Sequence, residues 1–177
     1  VELSESAVGK LSPEDMHRLA ELYHGLGRIE PAVRLWRENL EADGEWSQRA
    51  AAGILAAAPA ANDRQAFQDA LDASPDAYLR IPPKDLVLAS EKASAWGLVS
   101  QAIRMLEHAL ASQRGFDTDD EAYYLLARLY EQDTPLRNAR KALELYTVIV
   151  EDMRRSRRWE AARERKLYLE RHFFHVR

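Results

Sequence analysis

Residues 13–46, PEDMHRLAELYHGLGRIEPAVRLWRENLEADGEW, and residues 83–116, PKDLVLASEKASAWGLVSQAIRMLEHALASQRGF, carry one pattern seventy residues apart. Leu19, Gly27, Ala32, Val33, Trp36 and Leu40 fall on Ala89, Gly97, Ala102, Ile103, Leu106 and Leu110. Seventy is twice 35, and a helix-turn-helix unit stacked as a solenoid repeats every ~34 residues. Small residues recur where two helices approach closely, and bulky ones recur where a helix face is buried. Each such unit completes its core against a neighbour, which predicts an all-α repeat protein.

Working outward, the same period marks about four helical hairpins and a last helix. The first unit, 13–45, opens with Ser12 as cap, Pro13 in the first turn, and Glu14 and Asp15 at the positive helix end. Met16, Leu19, Ala20 and Tyr23 are its buried stripe, and Ala32, Val33, Leu35, Trp36 and Leu40 that of a second helix expected over 30–43. The second unit, 46–75, reads as irregular. A short helix is expected over 46–58, broken at Pro59, and another over 63–73 with Phe67, Ala70 and Leu71 inward. Phe67 follows Trp36 by 31 residues and precedes Leu106 by 39, so a loop over 74–83 is expected to take up the slack. The third unit spans 83–116 and the fourth 119–153, with helices over 119–132 and 136–153. A terminal helix over 157–174 has no downstream partner.

Composition agrees with helices and removes several function classes. The 177 residues are 46% hydrophobic and 31% charged, so the chain can bury a core. Ala, Leu, Glu and Arg dominate, and they lose little side-chain freedom on a helix. With no cysteine there is no disulfide framework, thiolate metal site or thiol nucleophile. No apolar run nears the ~20 residues that cross a bilayer, and the alanine-rich stretch 50–61 reads as a buried helix. There is no glycine-rich phosphate loop and no Gly-x-Ser-x-Gly, so no enzyme and no cofactor is expected. The chain starts at Val1 without methionine, which is read as an excised piece of a longer protein. Residues 153–177 hold nine Arg or Lys against three Glu, while the other 152 hold sixteen cations against 26 acids. A basic end on an acidic body follows.

These slots resemble the tetratricopeptide repeat. That family places a large residue, Leu-Gly and Tyr on a first helix, Gly in the turn, then Ala, an aromatic residue and Ala on a second helix. Met16, Leu19, Ala20, Tyr23, Gly27, Ala32, Trp36 and Asn39 match it in the first unit. Leu86, Ala89, Ser90, Ala93, Gly97, Ala102, Leu106 and Ala109 match it in the third, and Tyr123, Leu126, Ala127, Tyr130, Ala142, Tyr146 and Ile149 in the fourth, across a longer turn. The segment 142–169, with Trp159, Ala161, Ala162, Tyr168 and Leu169, is similar to repeats of bacterial envelope lipoproteins that scaffold outer-membrane assembly. Lys166 departs from that pattern; its stem is expected to pack while its ammonium reaches water.

The resemblance implies a tetratricopeptide-like α-solenoid serving as a non-enzymatic interaction scaffold or adaptor, in the bacterial envelope. The first helix of each unit would line its inner wall. Partner contacts are then expected from Glu14, His17, Glu21 and His24, from Lys84, Val87 and Glu91, and from Tyr124, Arg128 and Glu131. Some family members clamp a peptide's terminal carboxylate with Lys, Asn and Arg on successive first helices. His17, Glu21, Val87 and Glu91 hold the corresponding places here, and acid there repels a carboxylate. A basic or mixed-charge peptide suits that wall better.

Other features carry alternative readings. His17, Glu21 and His24, at i, i+4 and i+7, share a helix face and could hold zinc with a water, which would make this a metal-binding domain. His172 and His175 are a weaker pair. Arg154, Arg155, Arg157, Arg158, Arg163, Arg165 and Lys166 could meet phosphates, although interleaved Glu160, Glu164 and Glu170 favour helix-surface pairing and an acidic protein partner over nucleic acid. Trp159 is expected inward, with Phe173 and Phe174 an exposed patch for a partner. A regulatory domain of a larger membrane protein or enzyme is a further alternative.

Overall fold

The computed structural model describes residues 11–42, 44–112, 115 and 118–174. Among them every regular element is helical. The chain forms two compact units, residues 1–81 and 82–177.

The amino-terminal unit packs four helices in sequence: α1 (Pro13–Gly25), α2 (Ile29–Asn39), α3 (Glu45–Ala61) and α4 (Arg64–Ala73). Ser12 caps α1 by accepting from the Asp15 amide (3.1 Å), and Asp63 caps α4 by accepting from Ala66 (2.9 Å). Such caps satisfy amides that have no partner inside the helix. The core is mostly alanine around a few large side chains. Ala20, Ala32, Ala50, Ala51, Ala57, Ala58, Ala66 and Ala70 are fully buried beside Ile54, Leu55, Phe67 and the nearly buried Trp36. Alanine lets two helix backbones come close. Gly53 takes this further, since a Cβ there would lie 2.5 Å from the Trp36 indole.

The second hairpin corrects the expectation of a truncated, loosely connected unit. Its first helix, α3, is the longest described, with 17 residues, and it runs through Pro59. Proline forfeits one helical hydrogen bond. Here it sits in the last turn of an alanine-rich helix, whose intrinsic propensity offsets that loss. Asn62 then turns left-handed (φ 54°), and the Asp63 amide donates back to the Ala58 carbonyl. The segment expected as slack contains a 3-10 turn, Ala77–Arg80, packed on α3 with Ala77 and Ile81 buried. Helix α2 stops at Asn39, short of the expected 43; Asp43 is outside the described residues.

The carboxy-terminal unit holds α5 (Pro83–Ala95), α6 (Val99–Ser112), α7 (Asp119–Glu131), α8 (Ala139–Asp152) and α9 (Trp159–Leu169), each packed on the next. Leu86, Met105, Leu106, Leu129, Tyr146, Ile149 and Leu169 are its large buried side chains. Helix α8 starts three residues later than expected, because Asn138 caps it by accepting from Lys141 (3.0 Å). Helix α9 passes into a π-helical turn, Glu170–Phe174. Residues 113, 114 and 116 of the unit expected over 83–116 are outside the described residues, as is His175.

The seventy-residue offset holds at the level of single bonds. Helices α1 and α5 share their bounds after the shift, each with proline at its first position. In the first turn Leu26 donates to Leu22, Gly27 to His24 and Arg28 to Tyr23; in the second Trp96 donates to Lys92, Gly97 to Ser94 and Leu98 to Ala93. Gly27 and Gly97 take φ 72° and 82°. That left-handed backbone is costly for a residue with a Cβ, which is why glycine recurs there.

Candidate functional site

The carboxy-terminal unit has a pocket of about 470 Å³ between α7 and α9, to which α8 and the π-helical turn each add one side chain. Tyr124, Arg128, Glu131 and Gln132 come from α7 and its end, Arg137 from the following turn, and Tyr146 from α8. Arg165 and Tyr168 come from α9, and Phe173 from the turn beyond. Residues 124, 128 and 131 lie one and two turns apart, so they share one helix face.

Three side-chain links hold α9 and its lead-in against α7. Ser156 donates to Asp120 (2.6 Å), and the Arg158 guanidinium meets both oxygens of Glu121 (2.5 and 2.7 Å). Arg165 meets both oxygens of Glu131, through Nη2 and, at 3.2 Å, through Nε. The partners are separated by 36, 37 and 34 residues. One repeat length therefore sets which charges meet.

Glu131 is the buried end of this arrangement, with its side chain 14% exposed. It also accepts from the Tyr146 hydroxyl at 3.1 Å. Burial first, and the Glu131 charge second, push the Tyr146 phenol above its ordinary pKa, so the hydroxyl stays a donor. Tyr124 meets the Tyr146 ring edge-on at 5.8 Å and has the Arg158 guanidinium over its own ring at 4.9 Å. Arg165 lies over Tyr168 at 4.5 Å, and Arg137 over Phe173 at 5.1 Å. Packed rings and bidentate pairs order Tyr124, Glu131, Tyr146, Arg165 and Tyr168 in this wall before anything binds.

Four residues expected as partner contacts thus meet in one place: Tyr124, Arg128, Glu131 and Phe173. Phe174 is partly buried and does not line the pocket. Lys84 and Glu91 are exposed on α5 and also lie outside its lining, whereas Val87 is buried and belongs to the core rather than to a wall. Gln132, Arg137, Tyr146 and Tyr168 are not among the expected contacts, and Arg165 is expected only within the basic tail. For Arg165, the 34-residue offset from Glu131 was a signal available in the sequence.

The basic tail is correspondingly less free than its composition suggests. Arg158 and Arg165 are paired with α7, and Arg163 lies over the Trp159 ring at 5.6 Å. Lys166, expected to reach water, ends on Glu170 at 2.5 Å with its side chain 21% exposed. Trp159 does turn inward, donating from Nε1 to the Val150 carbonyl (3.0 Å).

In the amino-terminal unit, Glu14 pairs with Arg18, while Glu21 and His24 are exposed. His17 departs from expectation: it is buried, and its Nδ1 accepts from the Trp36 indole N–H at 3.2 Å. It packs between Trp36 and Trp46 and is a core residue, with Nε2 3.4 Å from Glu21. His24 turns its ring onto Trp36 instead (5.6 Å). Among the described residues no group of three or more His, Asp or Glu is placed to hold a metal, and no helix is long and apolar enough to cross a membrane. His172 stacks on Tyr168 at 4.2 Å.

No family model matches the chain, and no curated protein matches it.

Proposed function

We propose that the chain is a tetratricopeptide-like α-solenoid and acts as a non-enzymatic scaffold or adaptor. It would hold a peptide or helix of a partner protein against the first helices of its carboxy-terminal hairpins. The observation that carries this is the pocket between α7 and α9, whose walls are already locked by the Arg158–Glu121 and Arg165–Glu131 pairs. A receptor with fixed side chains loses little freedom on binding, so more of the contact energy appears as affinity. The bond-for-bond recurrence of the Gly27 and Gly97 turns supports the repeat reading. The similarity of residues 142–169 to envelope lipoprotein repeats supports a place in a bacterial envelope assembly.

The test is affinity capture from native lysate with the whole chain. Arg128→Ala/Phe173→Ala is expected to lose partners that the wild type and an Arg34→Ala/Glu38→Ala control both retain. Loss with the control and retention with the pocket variant would place binding elsewhere and overturn the proposal.

A further inference from the structure

We infer that the pocket between α7 and α9 selects a carboxylate side chain beside an aromatic or aliphatic residue on the partner segment. This rests on the peptide-binding role proposed above. It adds the chemistry of the occupant.

The inference starts from which charges in the pocket are already used. Three guanidiniums line it, from Arg128, Arg137 and Arg165, against a single carboxylate, Glu131. Arg165 is committed to Glu131 through both nitrogens, and Glu131 is further held by Tyr146. The acid is therefore spent on the protein itself. Arg137 keeps only Asp133, at 3.5 Å and with the acid's side chain 99% exposed, a contact that water screens. The Arg128 side chain has no hydrogen bond, ion pair or ring contact among the described residues. Two cations thus face the cavity without a buried counter-charge. Arg137 is nonetheless positioned, by its place over the Phe173 ring.

The remaining surface is aromatic. Tyr124 and Tyr146 meet edge to face, and Tyr168 meets Phe173 in the same way at 6.3 Å. An occupant must therefore be amphipathic, with an anion for Arg128 and Arg137 and an apolar side chain for the Tyr168 and Phe173 rings. Guanidinium forks match the two oxygens of a carboxylate.

The test uses the whole chain, panned against displayed random peptides at low salt, with selected sequences then made as synthetic peptides. Enrichment of Asp or Glu next to an aromatic or aliphatic residue is expected. Affinity for the selected peptides should fall about tenfold in Arg128→Gln/Arg137→Gln, and equally when the peptide's acid becomes its amide, as for loss of about 1.4 kcal/mol. The exposed-arginine control Arg104→Gln should change nothing, and circular dichroism should show each variant folded. Enriched peptides that are basic or neutral, and indifferent to Arg128→Gln/Arg137→Gln, would overturn the inference while leaving peptide binding intact. Loss of binding only on amidating the peptide's terminus would overturn the side-chain assignment. No enrichment at all would remove both this inference and the peptide-binding role.

Discussion

At the scale of single residues, two positions in the amino-terminal core lend themselves to direct tests. Gly53 sits inside α3 with the Trp36 indole where a Cβ would be, 2.5 to 2.7 Å from three ring atoms. Alanine favours a helix by about 1 kcal/mol over glycine. Overpacking costs about 1–3 kcal/mol, and the rigid indole is itself fixed by its bond to His17. Gly53→Ala is therefore expected to lower the urea midpoint, where helix propensity alone would raise it. A raised midpoint would mean that the indole yields freely.

His17 makes the same core sensitive to acid. Burial holds its imidazole below the ordinary 6.5, with Glu21 pulling it up and Arg49 pushing it down. The unfolded chain then binds the proton first as pH falls. Stability from this site is complete above about pH 6.5 and declines below it, down through the folded-state pKa. Nδ1 must also stay unprotonated to accept from Trp36. Unfolding midpoints of wild type are expected to fall between neutral pH and the acid range more steeply than those of His17→Gln. Parallel curves would remove His17 as the cause.

Among elements, the two glycine turns are equivalent by geometry and should be equivalent in energy. Gly27→Ala and Gly97→Ala each force a side chain into left-handed backbone, with open space around the new Cβ, so the cost is conformational, about 1–2 kcal/mol apiece. Differential unfolding of the two variants should agree closely, and a large disparity would show that one turn has relaxed. The α7–α9 links offer a second test. Arg165→Ala strips Glu131 of its cation in a site where the acid is 14% exposed, a loss of about 1–3 kcal/mol, held toward the lower end because Arg165 is itself 40% exposed. Arg165→Ala/Glu131→Gln should recover part of it. A double variant no better than the single one would show that the pair contributes no coupling. Much at this scale was legible in the sequence: the Ser12 cap with Pro13 behind it and both helices of each glycine hairpin follow from the residues alone, whereas the Asn138 cap that starts α8 does not. What misled was Pro59, because a proline's effect depends on whether its missing amide falls mid-helix or in a terminal turn. Propensity alone does not place that boundary. His17 misled similarly, since a histidine on a helix face looks solvated until a donor such as the Trp36 indole, nineteen residues away, is found for it.

For the whole molecule, the charge asymmetry seen in composition has a structural use different from the one its appearance suggests. Three cations of the basic carboxy-terminal segment are committed, Arg158 and Arg165 in holding α9 to α7 and Lys166 in its local pair with Glu170. The cations that line the pocket without a buried counter-charge, Arg128 and Arg137, lie outside that segment, on α7 and in the turn after it. A count of charges could not separate committed arginines from free ones, because that distinction needs partners about 35 residues apart to be set side by side. The candidate wall was half legible for the same reason. Residues one helical turn apart, such as Tyr124, Arg128 and Glu131, could be grouped from α7 alone, whereas Arg165, Tyr168 and Arg137 join them only through the packing of α7, α8 and α9.

The central claim is that partner binding is seated in the pocket between α7 and α9. Hydrogen–deuterium exchange of the whole chain, with and without a partner recovered by affinity capture, tests it most directly. Protection is predicted over residues 124–137 and 165–173, with the 14–24 segment unchanged. Protection confined to α1, or none in the carboxy-terminal unit, would contradict it.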